Sequence, residues 1–303
     1  MSHALHSHPY ASFVHTVDKP ARYLGGEYNQ IVKDPDSVRA SLCLAFPDVY
    51  DIGMSHLGTK ILYKLINDEP DLCAERAFAP WIDMEEALRE RGLPVLSLEN
   101  RRPLCEFDAV GFSLQYELTY TNVLTLLDLG QIPLRSEDRH DSDPIVLAGG
   151  PVATQPEPMA PFIDAFLIGD AEEQLPVVLR TIADAREEGV VRRELLERIA
   201  RIEGMYVPSL YATTIDLRSG FEVVTGPSMD GIPERPRRLI VDDLDRFPFP
   251  DDSPVAAAQA VFDRLSIEIS RGCTEGCRFC QAGMIYRPVR ERDPRQVIDT
   301  VLS

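Results

Sequence analysis

The chain has little cysteine, little tryptophan, a deficit of positive charge and no long apolar run. Six cysteines in 303 residues are too few for a disulfide framework, and Cys43, Cys73 and Cys105 are scattered. Cys43 lies in an apolar run and reads as core, while Cys73 and Cys105 sit in polar stretches and read as surface thiols. The single tryptophan, Trp81, stands between Pro80 and Ile82 as an anchor for the helix that follows, rather than as a stacking platform. No stretch approaches the roughly 20 apolar residues that span a bilayer. MSHALHSHPYASF has no basic region followed by an apolar one, so it is not a secretory signal, and the chain reads as soluble and cytoplasmic. A formal net charge of -18, from 31 basic and 49 acidic side chains, opposes non-specific binding to nucleic acid. Arg235, Arg237 and Arg238, with Arg287, Arg290 and Arg292, are the candidates for a local basic patch, and a solvated face is their simpler reading. His3, His6, His8 and His15 are irregularly spaced in what reads as a disordered leader.

What is present is a regular alternation. After a leader and entry segment over 1–40, SLCLAF (Ser41 to Phe46) predicts a buried strand. Ser55 to Asn67 predicts a helix capped by Ser55, with Leu57, Ile61, Leu62, Leu65 and Ile66 as its apolar stripe. Asp83 to Arg91 is a second helix, ended by Gly92. PVLSLE (Pro94 to Glu99), DAVGFSL (Asp108 to Leu114), PIVLAGG (Pro144 to Gly150) and DAFLIGD (Asp164 to Asp170) read as strands. Thr121 to Leu129, Ala171 to Glu188 and Arg192 to Ile202 read as helices. This predicts an α/β fold over 41–205, a mostly parallel sheet with helices on both faces. Ligands bind at the carboxyl ends of such strands. Gly149 and Gly150 there allow either a close approach to a flat or charged ligand or simply a tight turn. Residues 206–257 read as a β-hairpin about Arg218-Ser-Gly220 followed by a proline-rich linker. Over 258–303, RLSIEIS (Arg264 to Ser270) predicts a strand, and Asp293 caps a helix with Pro294 in its first position.

The last region holds SRGCTEGCRFCQAG, with Cys273, Cys277 and Cys280 inside eight residues. Three thiolates on one short loop can converge on a metal centre, and Gly272 and Gly276 let the loop wrap tightly. A closed zinc site wants four ligands, commonly from two C-x2-C pairs. Here the second pair is lacking, so zinc would need Glu275 or a partner chain. A four-iron cluster held by three thiolates keeps one iron open for a substrate or cofactor.

Cys273-Thr-Glu-Gly-Cys277-Arg-Phe-Cys280 resembles the C-x3-C-x-aromatic-C signature of the radical S-adenosylmethionine (SAM) superfamily, with Phe279 in the aromatic place. FPDVYDIGMSHLGTKILYKL, GFSLQYELTYTNVL and IVLAGGPVATQPEPMAPFIDAFLIGDAEE resemble its subgroup with an N-terminal B12-binding-like domain. The resemblance implies a Rossmann-like first domain and then the first β-loop-α unit of a β/α barrel, the chain being the N-terminal portion of a longer enzyme. It implies a 4Fe–4S cluster on Cys273, Cys277 and Cys280, with SAM on the open iron. It also implies a one-electron donor such as flavodoxin or ferredoxin. Gly283 and Met284 would lie against the cluster, and Tyr286 and Arg287 would touch the adenosine or a substrate, or else pack the loop. Cobalamin is the first ligand the resemblance suggests for the N-terminal domain. Gly53-Met-Ser-His56-Leu-Gly58 departs from the D-x-H-x-x-G of histidine-ligated cobalamin domains, so His56 is not expected as its lower ligand. Cobalamin bound without a histidine, another ligand, or a scaffold role all stay open.

Overall fold

The computed structural model describes residues 8–262 and 264–302. Its ten strands are β1 (Ala40–Phe46), β2 (Leu72–Phe78), β3 (Ala109–Ser113), β4 (Ile145–Gly149), β5 (Ala165–Leu167), β6 (Met205–Tyr206), β7 (Tyr211–Ile215), β8 (Glu222–Pro227), β9 (Ser270–Arg271) and β10 (Arg290–Glu291). Its α-helices are α1 (Tyr50–Gly53), α2 (Leu57–Asp68), α3 (Ile82–Arg91), α4 (Tyr120–Leu129), α5 (Leu175–Glu188), α6 (Arg192–Ala200), α7 (Ala282–Ile285) and α8 (Pro294–Leu302).

One six-stranded sheet dominates, in the order β2-β1-β3-β4-β5-β6. All its pairs are parallel except β5 with β6. Every residue of β1 and β2 is buried, which requires cover on both faces of the sheet. The α/β architecture is as the alternation predicts.

Several local expectations differ from the structure. β2 replaces PVLSLE as the edge strand. Its LCAERAF carries two charges at its centre, Glu75 and Arg76, so it does not read as an apolar run. Both charges are paired: Arg76 with Glu99 at 2.7 Å and Glu27 at 3.3 Å, and Glu75 with Arg102 at 3.6 Å, beside a hydrogen bond from the Ser97 hydroxyl at 2.6 Å. Residues 94–99 run beside β2 without forming a ladder. The Leu98 N–H donates to the Arg76 carbonyl, and the Glu99 carboxylate accepts from the Arg76 N–H. Cys73, expected at the surface, is therefore fully buried in β2.

His56, not Ser55, caps α2, its Nδ1 accepting from the Thr59 N–H at 3.1 Å. The expected leader is ordered from His8 on. Tyr10, Phe13, Val14 and Val17 join the core, and the Tyr10 hydroxyl donates to the Pro94 carbonyl. His3 and His6 lie outside the described residues. Arg264 to Ser270 yields only the two-residue β9, paired antiparallel with β10. A strand needs a ladder partner, and Leu265 and Ile269 stand about 60% exposed (61% and 60%). The arginines expected on a solvated face divide: Arg290 and Arg292 are buried in ion pairs, whereas Arg237 stays exposed. Among the described residues, no helix is long and apolar enough to cross a membrane.

Candidate functional site

The carboxyl ends of β3, β4 and β5 open onto one cleft of about 320 Å³, the size range of small-molecule sites. Its sheet-side wall includes His56, Ser113, Gln115, Gly150 and Gly169, and its far wall includes Leu239, Glu268, Arg271, Tyr286 and Arg290. Gly150 and Tyr286, flagged from distant parts of the sequence, thus face one cavity. Gly149 borders a narrower apolar slot of about 80 Å³ that runs back between the strand ends and is lined by Leu42, Leu147 and Leu167. Gly150 has φ 98°, and a Cβ on it would sit 2.6 Å from the Leu114 carbonyl oxygen, so the tight turn demands glycine.

The proline-rich segment delivers Leu239 to the far wall. Leu239 pairs with Gly169: the Leu239 N–H donates to the Ile168 carbonyl at 2.8 Å, and the Asp170 N–H donates to the Leu239 carbonyl at 3.1 Å. This close approach needs Gly169, at φ 109°, because a Cβ would fall 2.2 Å from the Leu239 oxygen.

His56 and Gln115 both face the cleft. Nδ1 of His56 accepts the Thr59 N–H, which leaves the ring proton of the neutral form to Nε2. Gly58 makes room for the ring, since a Cβ there would sit 2.8 Å from its Cε1. Burial lowers the His56 pKa to about 4, against the smaller opposing effect of Gln115. A folded value below the ordinary 6.5 means that the fold favours neutral imidazole. The resulting stabilisation is complete above pH 6.5 and is lost as pH falls from there through about 4. A proton NMR titration is expected to place the His56 midpoint near 4; a midpoint near 6.5 would contradict this burial.

The three clustered cysteines lie on the loop between β9 and α7. All are free thiols, Cys273 and Cys277 exposed and Cys280 half-buried. Cys277, Phe279, Cys280 and Gly283 border one hollow of about 330 Å³. Phe279 is 91% exposed and Gly283 is buried beneath the Glu275 carbonyl. The sulfurs are not drawn together: among the described residues no group of three or more His, Cys, Asp or Glu is arranged to hold a metal ion. The donor set fits an iron–sulfur cluster in kind, being three unpaired thiols on one accessible loop with no imidazole beside them.

Charged side chains tie this loop to the cleft. Arg271 meets Asp170 at 3.0 Å, Glu172 at 2.8 Å and Glu268 at 3.0 Å. Arg290 meets the other oxygen of Asp170. Burial works against the Asp170 carboxylate, but Arg271, the Val241 N–H and Arg290 outweigh it and hold its pKa below the usual value. Arg238 donates to the carbonyls of Ile285 and Arg287. The sequence shows the DAFLIGD strand ending at Asp170 but not these ion pairs; the signal available was Arg271 itself, two residues before the first cysteine.

Residues 58–208 match the sequence family described as radical SAM proteins, N-terminal. An uncharacterized protein of Methanocaldococcus jannaschii, MJ0966, is 28% identical over 205 residues, covering 67% of this chain and 36% of that protein. The chain thus spans little more than a third of that relative's length. Among solved structures, the radical S-adenosylmethionine methyltransferase TsrM from Kitasatospora setae, with tryptophan substrate and the SAM analog aza-SAM bound, is 16% identical. It covers 86% of this chain and 44% of that chain at a TM-score of 0.44, too distant a likeness to carry function. The match over 58–208, with the sheet it spans and the three-cysteine loop that follows, identifies the chain as a member of the radical SAM proteins.

Proposed function

We propose that this chain is the N-terminal part of a radical SAM enzyme whose Cys273, Cys277 and Cys280 hold a 4Fe–4S cluster with one iron left for SAM. The observation that carries the reading is the set of three unpaired thiols within eight residues, on a loop anchored to the carboxyl edge of the sheet. When bound, the cluster supplies the electron that cleaves the sulfonium of SAM and releases a 5′-deoxyadenosyl radical for hydrogen abstraction from a substrate. The residues of the chain bind and orient. The cysteine thiolates supply three ligands. The exposed face of the loop, with Phe279 outermost, leaves access for a one-electron donor such as flavodoxin or ferredoxin. Tyr286 stands on the cleft side of the loop, where an adenosine or substrate ring can rest against it.

The first domain offers its cleft and apolar slot to a ligand, with cobalamin as the leading candidate. Because Nδ1 of His56 is taken by the cap of α2 and the D-x-H-x-x-G pattern is lacking, cobalamin bound here would do without that histidine on cobalt. A zinc module is the competing reading, with Glu275 or a partner chain completing the ligand set. Anaerobic reconstitution with iron and sulfide separates the two. A brown protein with about four irons per chain is expected; stoichiometric zinc that survives the same treatment would overturn the cluster reading.

A further inference from the structure

We propose that Asp170 is a positioning residue for the three-cysteine loop, one carboxylate that clamps both of its stems to the sheet domain. The inference rests on the cluster reading above and extends it to the first domain. The loop leaves the fold at β9 and returns at β10. Each of these two-residue strands carries an arginine, and both arginines end on Asp170: Arg271 on Oδ1 at 3.0 Å and Arg290 on Oδ2. Two residues after Arg271 comes Cys273. Gly272, between them, has φ 107°, and a Cβ on it would meet the Tyr286 and Pro288 carbonyl oxygens at 2.7 and 2.8 Å. The backbone entering the first cysteine is therefore packed against the backbone leaving the loop, and Arg271 is the side chain that sets where both lie.

Asp170 is itself fixed. It follows β5, and its Oδ2 accepts the Val241 N–H at 2.9 Å. The Val241 carbonyl accepts from Arg290 at 2.8 Å. Charge-assisted bonds of this kind, with both partners largely buried, are strong and directional. Two two-residue strands could not hold the loop by backbone pairing alone. Asp170, Arg271 and Arg290 also line the cleft. A ligand resting there touches the same three side chains that fix the cysteine loop, so the clamp joins the two sites.

The test compares wild type with Asp170→Asn, Asp170→Glu and Arg271→Lys in the full chain, with far-UV circular dichroism confirming folding. After anaerobic reconstitution, cluster loss to excess EDTA is followed by visible absorbance. Asp170→Asn is expected to take up the same iron but lose it about tenfold faster or more, the weight of one or two charge-assisted hydrogen bonds. Its reduced cluster is also expected to give a broadened electron paramagnetic resonance signal. Asp170→Glu should restore part of both properties. Arg271→Lys keeps the charge but not the fork, and should resemble Asp170→Asn. Wild-type rates and spectra in Asp170→Asn and Arg271→Lys would overturn the proposal. If wild type takes up no iron, the cluster reading fails instead, and the clamp is read in the metal-free protein by hydrogen exchange over residues 271–273. There Asp170→Asn must exchange faster than wild type, and equal rates would overturn the clamp on its own.

Discussion

With Cys273, Cys277 and Cys280 all changed to alanine, the reconstituted protein is expected to be colourless and to hold only background iron. The reason lies in where the other thiols are. Cys43 and Cys73 are fully buried in β1 and β2. Burial, with the nearby Glu75, raises both, Cys43 well above its ordinary value and Cys73 to about 12. Burial raises Cys105 as well. Burial thus disfavours the thiolate at all three, so none is a ready replacement for the loop ligands. The triple change should leave the fold alone, because the loop cysteines contribute nothing to the two hydrophobic clusters of the core. The check is iron and sulfide analysis beside a thermal melt. A triple variant that melts like wild type and still carries about four irons would refute the ligand set.

The largest loss of stability is expected from Asp164→Ala, about 3–5 kcal/mol by urea unfolding. Asp164 opens the segment leading into β5, and its carboxylate gathers two arginines. Arg192 donates to Oδ2 at 2.7 Å, and Arg139 approaches the same oxygen at 2.9 Å as an ion pair rather than an aligned hydrogen bond. The Val146 N–H of β4 donates to it as well. The side chains of Arg139 and Asp164 are 0% and 1% exposed. Burial lowers the Arg139 pKa, with Asp164 the main opposing influence. Alanine would leave two buried guanidinium groups without their counter-ion, which costs far more than the pair itself contributes. Asp184→Ala is the matched control. It removes a 2.6 Å pair with Arg39 whose side chains are 39% and 53% exposed, and should cost no more than about 1 kcal/mol. Equal effects for the two variants would mean that Asp164 is not the buried hub described.

The sheet was legible wherever its strands carry no charge. β1, β3 and β4 follow from SLCLAF, DAVGFSL and PIVLAGG because no charged side chain interrupts the apolar run within those strands. β2 was hidden by the same logic. Glu75 and Arg76 break its run, and only the structure shows that Arg102, Glu99 and Glu27 pair with them from 23 or more residues away in sequence. Tyr10, Phe13, Val14 and Val17 in the N-terminal segment stand at i, i+3, i+4 and i+7, an apolar spacing that the sequence does show; what it does not show is the tertiary contact that buries them, marked by the Tyr10 hydroxyl on the Pro94 carbonyl. The cysteine loop was the most legible feature, since spacing is a property of sequence. The clamp that holds it was not, because Asp170 and Arg290 lie 120 residues apart and each alone reads as one more surface charge.

The central claim is that three cysteines leave one corner of a cluster open to SAM, and the most direct measurement is electron paramagnetic resonance of the reconstituted, dithionite-reduced protein before and after SAM is added. A clear shift of the reduced-cluster signal on addition is the predicted result. An unchanged spectrum, from protein shown to contain reduced cluster, would contradict the account.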